Sequence, residues 1–349
     1  MQRIYRLIKQ LRELQYIDLI TIKNWHTEIY IYEDAETYEF VREKKVTLGG
    51  DHLIQSGETA FLKTAVHLPS NLEGDHVGIA FQAAGPGGQP SHYEALLSIN
   101  GTPPLQGFDR NRSFYKLPTC LLNEPSLQIE LELFNPIGIP EDHLRGGFNQ
   151  VASAETSPPP IYLKNSNVVK VRKEVQDLLF TIETACSTLG LLKEETSRFH
   201  VLYQTLSEVA DTFRLITDIE AIERSLFHIQ DKKVRDVLKA LSGYREGTVK
   251  AIGQSHIDVA WLWPLKETIR KASRTFSTAS TLLEEYKDFE YAQSQPQLFE
   301  LVKKHYPKVF ERVKKQVAAG RMEIIGGMWV EPDLNIPSGG IISKAATHW

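Results

Sequence analysis

The repeat of apolar residues changes period along this chain, and no single-layer fold accommodates the change. From about residue 40 to 165, short runs alternate apolar and polar. Leu127, Ile129, Leu131 and Leu133 step by two while Gln128, Glu130 and Glu132 take the other side, the pattern of a half-buried strand. Asn100-Gly101, following Leu96, Leu97 and Ile99, predicts a type I′ hairpin turn, which needs positive φ at both central residues. The stretch reads as an all-β, jelly-roll-like sandwich. It is bounded by Thr-Ser-Pro-Pro-Pro at 156–160, whose prolines cannot donate ladder hydrogen bonds.

Beyond residue 167 steps of three and four take over. Val171, Val175, Leu178, Ile182, Ala185 and Leu189 draw one stripe, Phe199, Leu202, Leu206, Val209, Phe213 and Ile216 a second, and Ile222, Leu226 and Ile229 a third. Each reads as the core face of a helix. Residues 1–24 read as one further amphipathic helix. The last hundred residues alternate: a buried strand over 248–252, a helix through Ile269, Ala272, Phe276, Ala279, Leu283 and Tyr286, and a strand over 289–292. Helical spacing then runs over 298–317, restarted at Pro307, before a strand over 322–325. A βαβαβ order predicts parallel strands, because parallel neighbours need a crossover between them.

At 349 residues the chain has room for two or three domains, each with its own core. Its 40 Lys and Arg against 44 Asp and Glu give a formal charge of −4, without the basic surplus a nucleic-acid partner demands. Cys120 and Cys186 stand far apart, which argues against a disulfide framework or a thiolate zinc site and for a reducing compartment. No stretch approaches the ~20 apolar residues of a membrane span, and the amino terminus interleaves charge with apolar residues where a signal peptide would be uninterrupted. The expectation is a cytoplasmic protein. On that expectation the glycosylation patterns at Asn100 and Asn111 are accidental.

Gly-Gln-Ser-His-Ile-Asp-Val-Ala-Trp-Leu-Trp at 253–263 places His256 and Asp258 two apart, just past a predicted strand. Zinc accepts both imidazole nitrogen and carboxylate oxygen, and residues i and i+2 of an extended segment point the same way. The pair is therefore a candidate for half of a four-ligand site. A second loop, Gly-Gly-Met-Trp-Val-Glu-Pro-Asp-Leu-Asn-Ile-Pro-Ser-Gly at 326–339, follows the last predicted strand and carries Glu331 and Asp333. His256, Asp258 and Asp333 all follow strands, and in α/β barrels chemistry gathers at the carboxyl ends of the strands. Glu331 reads as a solvated loop carboxylate, and Trp263 and Trp329 read equally well as packing.

Together with Arg-Thr-Phe-Ser-Thr at 274–278 and Gln-Ser-Gln-Pro-Gln at 293–297, these stretches closely resemble the α-mannosidases of glycoside hydrolase family 38, in its cytosolic, bacterial-type branch. A weaker echo at 98–111 resembles the amino-terminal β domain of that branch. The resemblance implies a multidomain α+β and α/β chain: 1–39 an amino-terminal helix and lead-in, 40–165 the β-sandwich, 166–245 a helical connector, and 246–349 the first three strands of a seven-stranded β/α barrel. It implies Zn²⁺ held by His256, Asp258 and Asp333, with Asp333 also the nucleophile of a retaining hydrolysis and Trp261 a wall beneath the sugar. The implied partner is an α-mannoside or mannose-containing oligosaccharide, with homo-oligomerisation left open for the full-length enzyme.

The resemblance further implies that the fourth zinc ligand and the general acid lie beyond strand three, so that residues 1–349 alone are expected to be inactive and to aggregate through open strand edges. Where relatives continue Ser-Gly-Glu-Ser, this chain reads Ser338-Gly339-Gly340-Ile341, and the tail after it reads as departing from the family. Two other readings stay open. A zinc deacetylase on a related barrel would use His256 and Asp258 without a carboxylate nucleophile, and a non-catalytic carbohydrate-binding protein would need neither.

Overall fold

The computed structural model describes residues 1–33, 37–50, 52–70, 72, 76–136, 159–214, 224–243, 247–260 and 263–332. Among the described residues it is a mixed α and β structure with three sheets. The first helix, α1 (Gln2–Leu14), is shorter than the 1–24 the spacing predicts. Past Gln15 the run Tyr16-Ile17-Asp18-Leu19-Ile20-Thr21 forms β1 (Tyr16–Thr21), because β-branched and aromatic side chains favour a pleated surface and a paired strand is at hand. The sheets therefore begin well before residue 40.

Nine further strands complete the β region: β2 (Asn24–Tyr32), β3 (Tyr38–Thr47), β4 (Glu58–His67), β5 (Val77–Ala84), β6 (Glu94–Ile99), β7 (Gln106–Phe108), β8 (Phe114–Lys116), β9 (Ser126–Phe134) and β10 (Tyr162–Val171), with the one-turn α2 (Thr119–Leu122) before β9. They pair antiparallel as a four-stranded sheet β1-β10-β5-β8 and a six-stranded sheet β3-β2-β4-β9-β6-β7. One core fills the space between them, with Trp25, Ile29, Leu62, Leu97 and Leu131 meeting Ile79, Phe81, Leu163 and Val168. Leu127, Ile129, Leu131 and Leu133 all face that core, as their period requires. Asn100 and Gly101 take φ values of 51° and 66°, the turn closes through Thr102 N–H donating to the Ile99 carbonyl, and the Asn100 Oδ1 accepts from Gln128 N at 2.7 Å.

At Gly78 in β5 the paired strand comes too close for a side chain. A Cβ there would sit 2.3 Å from both the Tyr115 carbonyl oxygen and the Phe114 ring. Because a backbone atom of β8 is in the way, Gly78→Ala is expected to cost about 1–3 kcal/mol by overpacking. A lowered unfolding midpoint would show it, and an unchanged midpoint would mean that β8 yields freely.

The helical region holds α3 (Lys173–Leu189), α4 (Ser197–Phe213) and α5 (Arg224–Leu241). Ile4, Leu7, Ile8 and Leu11 of α1 join the same core, so the amino-terminal helix packs as part of the connector. The first two predicted stripes are buried, apart from Ile216, which lies outside the described residues, and a half-buried Phe199. Of the third, Ile222 lies outside the described residues, Leu226 packs partly buried against the core and Ile229 is 59% exposed, while α5 buries Phe227, Gln230 and Val234. Those residues form an i, i+3, i+7 face one residue away from the chosen phase.

The carboxyl-terminal region has β11 (Gly253–Gln254), α6 (Leu265–Glu285), β12 (Tyr291–Gln293), α7 (Pro296–His305), α8 (Pro307–Ala318) and β13 (Met322–Ile324). The three strands are parallel in the order β11-β12-β13, as the alternation predicts. The first strand falls elsewhere than expected, since Val249 is 93% exposed and pairing starts only at Gly253. Residues 248–252 precede the point where β12 begins to offer backbone partners and stay exposed, with Lys250 paired to Glu290.

Helix α6 is buried on two sides. Ala272, Phe276, Ala279 and Leu283 meet the helices and strands that follow, while Glu267, Arg270, Ser273, Arg274 and Ser277 are also buried. The second face lies against the six-stranded sheet. Arg270 donates to Glu267 at 2.7 and 2.9 Å and to Thr59 Oγ1 at 2.8 Å, and its guanidinium lies 4.2 Å from the Tyr32 ring centre and 3.9 Å from that of Phe134. Arg274 bridges Glu267 and Glu94, Lys271 also reaches Glu94, and Thr278 Oγ1 accepts from Gly107 N at 2.9 Å. The Arg-Thr-Phe-Ser-Thr motif is thus the seam between the β region and the parallel sheet.

Candidate active site

Past Gln254 the run Ser255-His256-Ile257-Asp258 leads out of β11. Ile257 is buried in the core beneath the sheet, so its neighbours on either side turn the opposite way together. His256 Nε2 and Asp258 Oδ1 lie 3.1 Å apart, and both side chains are about half exposed, open to a solute. The carboxyl ends of β12 and β13 supply the surroundings. Glu331, seven residues past β13, accepts from His256 Nδ1 at 2.6 Å, and its other oxygen accepts from Ser294 Oγ. Glu331 is an exposed loop carboxylate, as expected, but it also carries these two hydrogen bonds. It could have been found by the argument used for Asp333, because it follows the same strand at the same end.

Hydrogen bonds to Glu331 and then to Asp258 hold the His256 pKa above its ordinary value. With Nδ1–H donated to Glu331, Nε2 is left to donate to Asp258, and a metal bound at Nε2 would take the place of that proton. Two donors at about 2.0–2.2 Å on a tetrahedral ion lie roughly 3.3–3.6 Å apart, so a small outward shift lets this pair share one cation, with Glu331 orienting the ring from behind. Among the described residues no group of three His, Cys, Asp or Glu is spaced to hold a metal ion. Asp333, expected as the third ligand and nucleophile, and Trp261, expected as the sugar wall, lie outside the described residues.

The loop that carries the pair is tied to α6. Ala260 adopts φ 64°, and the Thr268 Oγ1 accepts from Ala260 N at 3.0 Å and from Trp263 Nε1 at 3.1 Å. Trp263 lies under the Lys271 ammonium, 4.5 Å from ring centre to nitrogen. Trp329 donates from Nε1 to Gln297 Oε1 and accepts on its carbonyl from Gln297 N. Beside the pair runs a cavity of about 530 Å³ walled by Glu94, Asp109 and Arg112 of the β region and by Lys271 and Thr275 of α6. Cys120 and Cys186 are free thiols, and among the described residues no helix is long and apolar enough to cross a membrane.

Residues 246–347 match the N-terminal domain of the glycosyl hydrolases family 38. The match runs past Gly340, so most of the tail read as departing from the family falls inside it. Over 83% of its length the chain is 48% identical to alpha-mannosidase 2C1 of Mus musculus, covering 26% of that protein. It is 30% identical over 88% of its length to alpha-mannosidase 2C1 of Homo sapiens, covering 28% of it. Alpha-mannosidase G of Dictyostelium discoideum is 43% identical over 91 residues, 26% of this chain and 8% of that protein. The chain thus spans about a quarter of the length of the first two relatives. On these matches the chain belongs to glycoside hydrolase family 38, with residues 246–347 in the family's N-terminal domain.

Proposed function

We propose that this chain carries the metal-binding and nucleophilic part of a zinc-dependent, retaining α-mannosidase that removes terminal α-linked mannose from oligosaccharides or smaller mannosides. The observation that carries the reading is the His256–Asp258 pair, backed by Glu331, at the carboxyl ends of parallel strands. A deacetylase would place a water-activating base there, and a binding module would need no such pair. The 253–293–324 strand series is read as the opening of a β/α barrel, and the cell compartment as the cytoplasm.

In this reading His256 Nε2, Asp258 and Asp333 would hold the zinc, which when bound would supply a positive charge for the hydroxyls of mannose. Glu331 keeps the Nδ1 proton and so keeps Nε2 a lone-pair donor. Asp333 would attack the anomeric carbon while a general acid elsewhere in the full-length protein protonates the departing aglycone oxygen, and water, deprotonated by that same group, would later cleave the resulting ester, so the anomeric configuration is retained. Trp261 would support the ring from below.

The test is to trap the ester. A 5-fluoro mannosyl fluoride given to the full-length protein should add one sugar mass to the peptide containing Asp333, and NMR should find α-mannose as the first product. A label on another carboxylate, or β-mannose appearing first, would overturn the assignment.

A further inference from the structure

The Gln-Ser-Gln-Pro-Gln run has no role in the mechanism above, yet three of its residues in sequence close on the metal-ligand segment. Gln293, fully buried, donates from Nε2 to the Ser255 carbonyl at 3.0 Å, and its Oε1 is fixed by the Tyr291 hydroxyl at 2.6 Å. Gln295, 2% exposed, donates from Nε2 to the Ile257 carbonyl at 2.9 Å. Those two carbonyls flank His256. Between the glutamines, Ser294 Oγ donates to Glu331, the carboxylate that receives His256 Nδ1.

We infer that Gln293, Ser294 and Gln295 form a positioning clamp that fixes the His256 backbone from both sides and its ring from behind. Gln295 supports the inference by its own conformation. It sits at φ 64°, in the left-handed region that a long side chain rarely occupies and that costs on the order of 1 kcal/mol or more when held. That conformation lets one residue stand at the N-cap position before Pro296 of α7 and still reach across to the Ile257 carbonyl, past the end of β11. Short parallel strands alone cannot do the work of the clamp, because β11 and β12 pair through only two residue pairs before the site begins. The three residues touch no substrate in this arrangement; they act through His256. The role rests on the reading of His256 as a ligand for its consequence, though not for its geometry.

The closing experiment separates the two. In metal-free full-length protein, Gln293→Glu and Gln295→Glu keep size but turn a donor into an oxygen facing a carbonyl. Backbone hydrogen exchange over 255–258 should then rise about 5- to 100-fold, the range expected when a buried group loses its partner, with exchange in the sandwich unchanged. Titration with Zn²⁺ alone should show affinity about 10- to 100-fold weaker. If a glutamate variant does not fold, Tyr291→Phe, which removes only the hydroxyl that orients Gln293, gives the same readout. Unchanged exchange over 255–258 in every variant that folds would overturn the clamp. Loosened exchange in the variants beside a wild type that takes up no zinc would uphold the clamp and remove the metal reading.

Discussion

Arg270→Ala is expected to lower stability by about 3–5 kcal/mol, the cost of breaking a buried ion pair from one side. The side chain is 1% exposed, and its removal leaves Glu267, 4% exposed, with Arg274 as its remaining cation. It also empties the slot between Tyr32 and Phe134. Burial by itself lowers the Arg270 pKa, and the charges of Glu267 and Glu132 more than reverse it. Chemical denaturation of the full-length protein would measure the loss. By comparison, Arg3→Ala, which breaks a largely exposed pair with Asp211, should stay within about 1 kcal/mol. Similar losses from the two variants would show that the seam is wetter than its geometry suggests.

The same seam should respond to acid. Burial raises the Glu94 pKa, but Arg274 and Lys271 outweigh it and hold it below the ordinary value. Glu58 is held low in the same way, by Arg42 and the Gln55 N–H against burial. A carboxyl depressed on folding stabilises the protein above its unfolded pKa, and that contribution fades as pH falls through the folded value.

His256→Ala and Asp258→Ala should each remove zinc from the full-length protein and reduce mannoside hydrolysis by about a thousandfold or more, roughly 4 kcal/mol of transition-state stabilisation. The effect follows from geometry: each change removes one of two donors that face one another, and neither has a neighbour on its own segment to take over. Glu331→Gln should weaken zinc by about 10- to 100-fold while keeping a measurable rate, since the neutral amide still reaches Nδ1 but no longer favours its proton as strongly. Metal analysis with initial rates would separate the three. Full occupancy in both alanine variants would refute the ligand assignment.

How far these residues were legible depended on the range over which each signal acts. Period-two and period-four patterns are local, so β9 and α3 could be read from a dozen residues. The type I′ turn at Asn100-Gly101 is fixed by two residues, and it too was legible. The sequence places β11 too early because its apolar lead-in, Val249 and Ile252, carries the composition of a buried strand but stays exposed. The end of α1 was misread because Ile17 and Ile20 suit a helix as well as a strand, and pairing with β10 decides between them. The two glutamines escaped for another reason. Their roles exist only once three strands lie side by side, and nothing within a few residues of either of them announces it.

The seam along α6 also bears on the order in which the parts can form. The sandwich lies almost wholly ahead of this helix in sequence, so it is synthesised first and can present Thr59, Glu94, Glu132 and the Tyr32–Phe134 slot before Arg270 emerges. A helix whose charged face has no use for water on one side or oil on the other would otherwise hold Glu267 and Arg270 out in solvent and leave the ligand loop anchored at Thr268 without a fixed base. The β region can therefore act as an intramolecular template. Grafting the segment from residue 246 onward onto another carrier would separate the helix from the surface against which it takes shape.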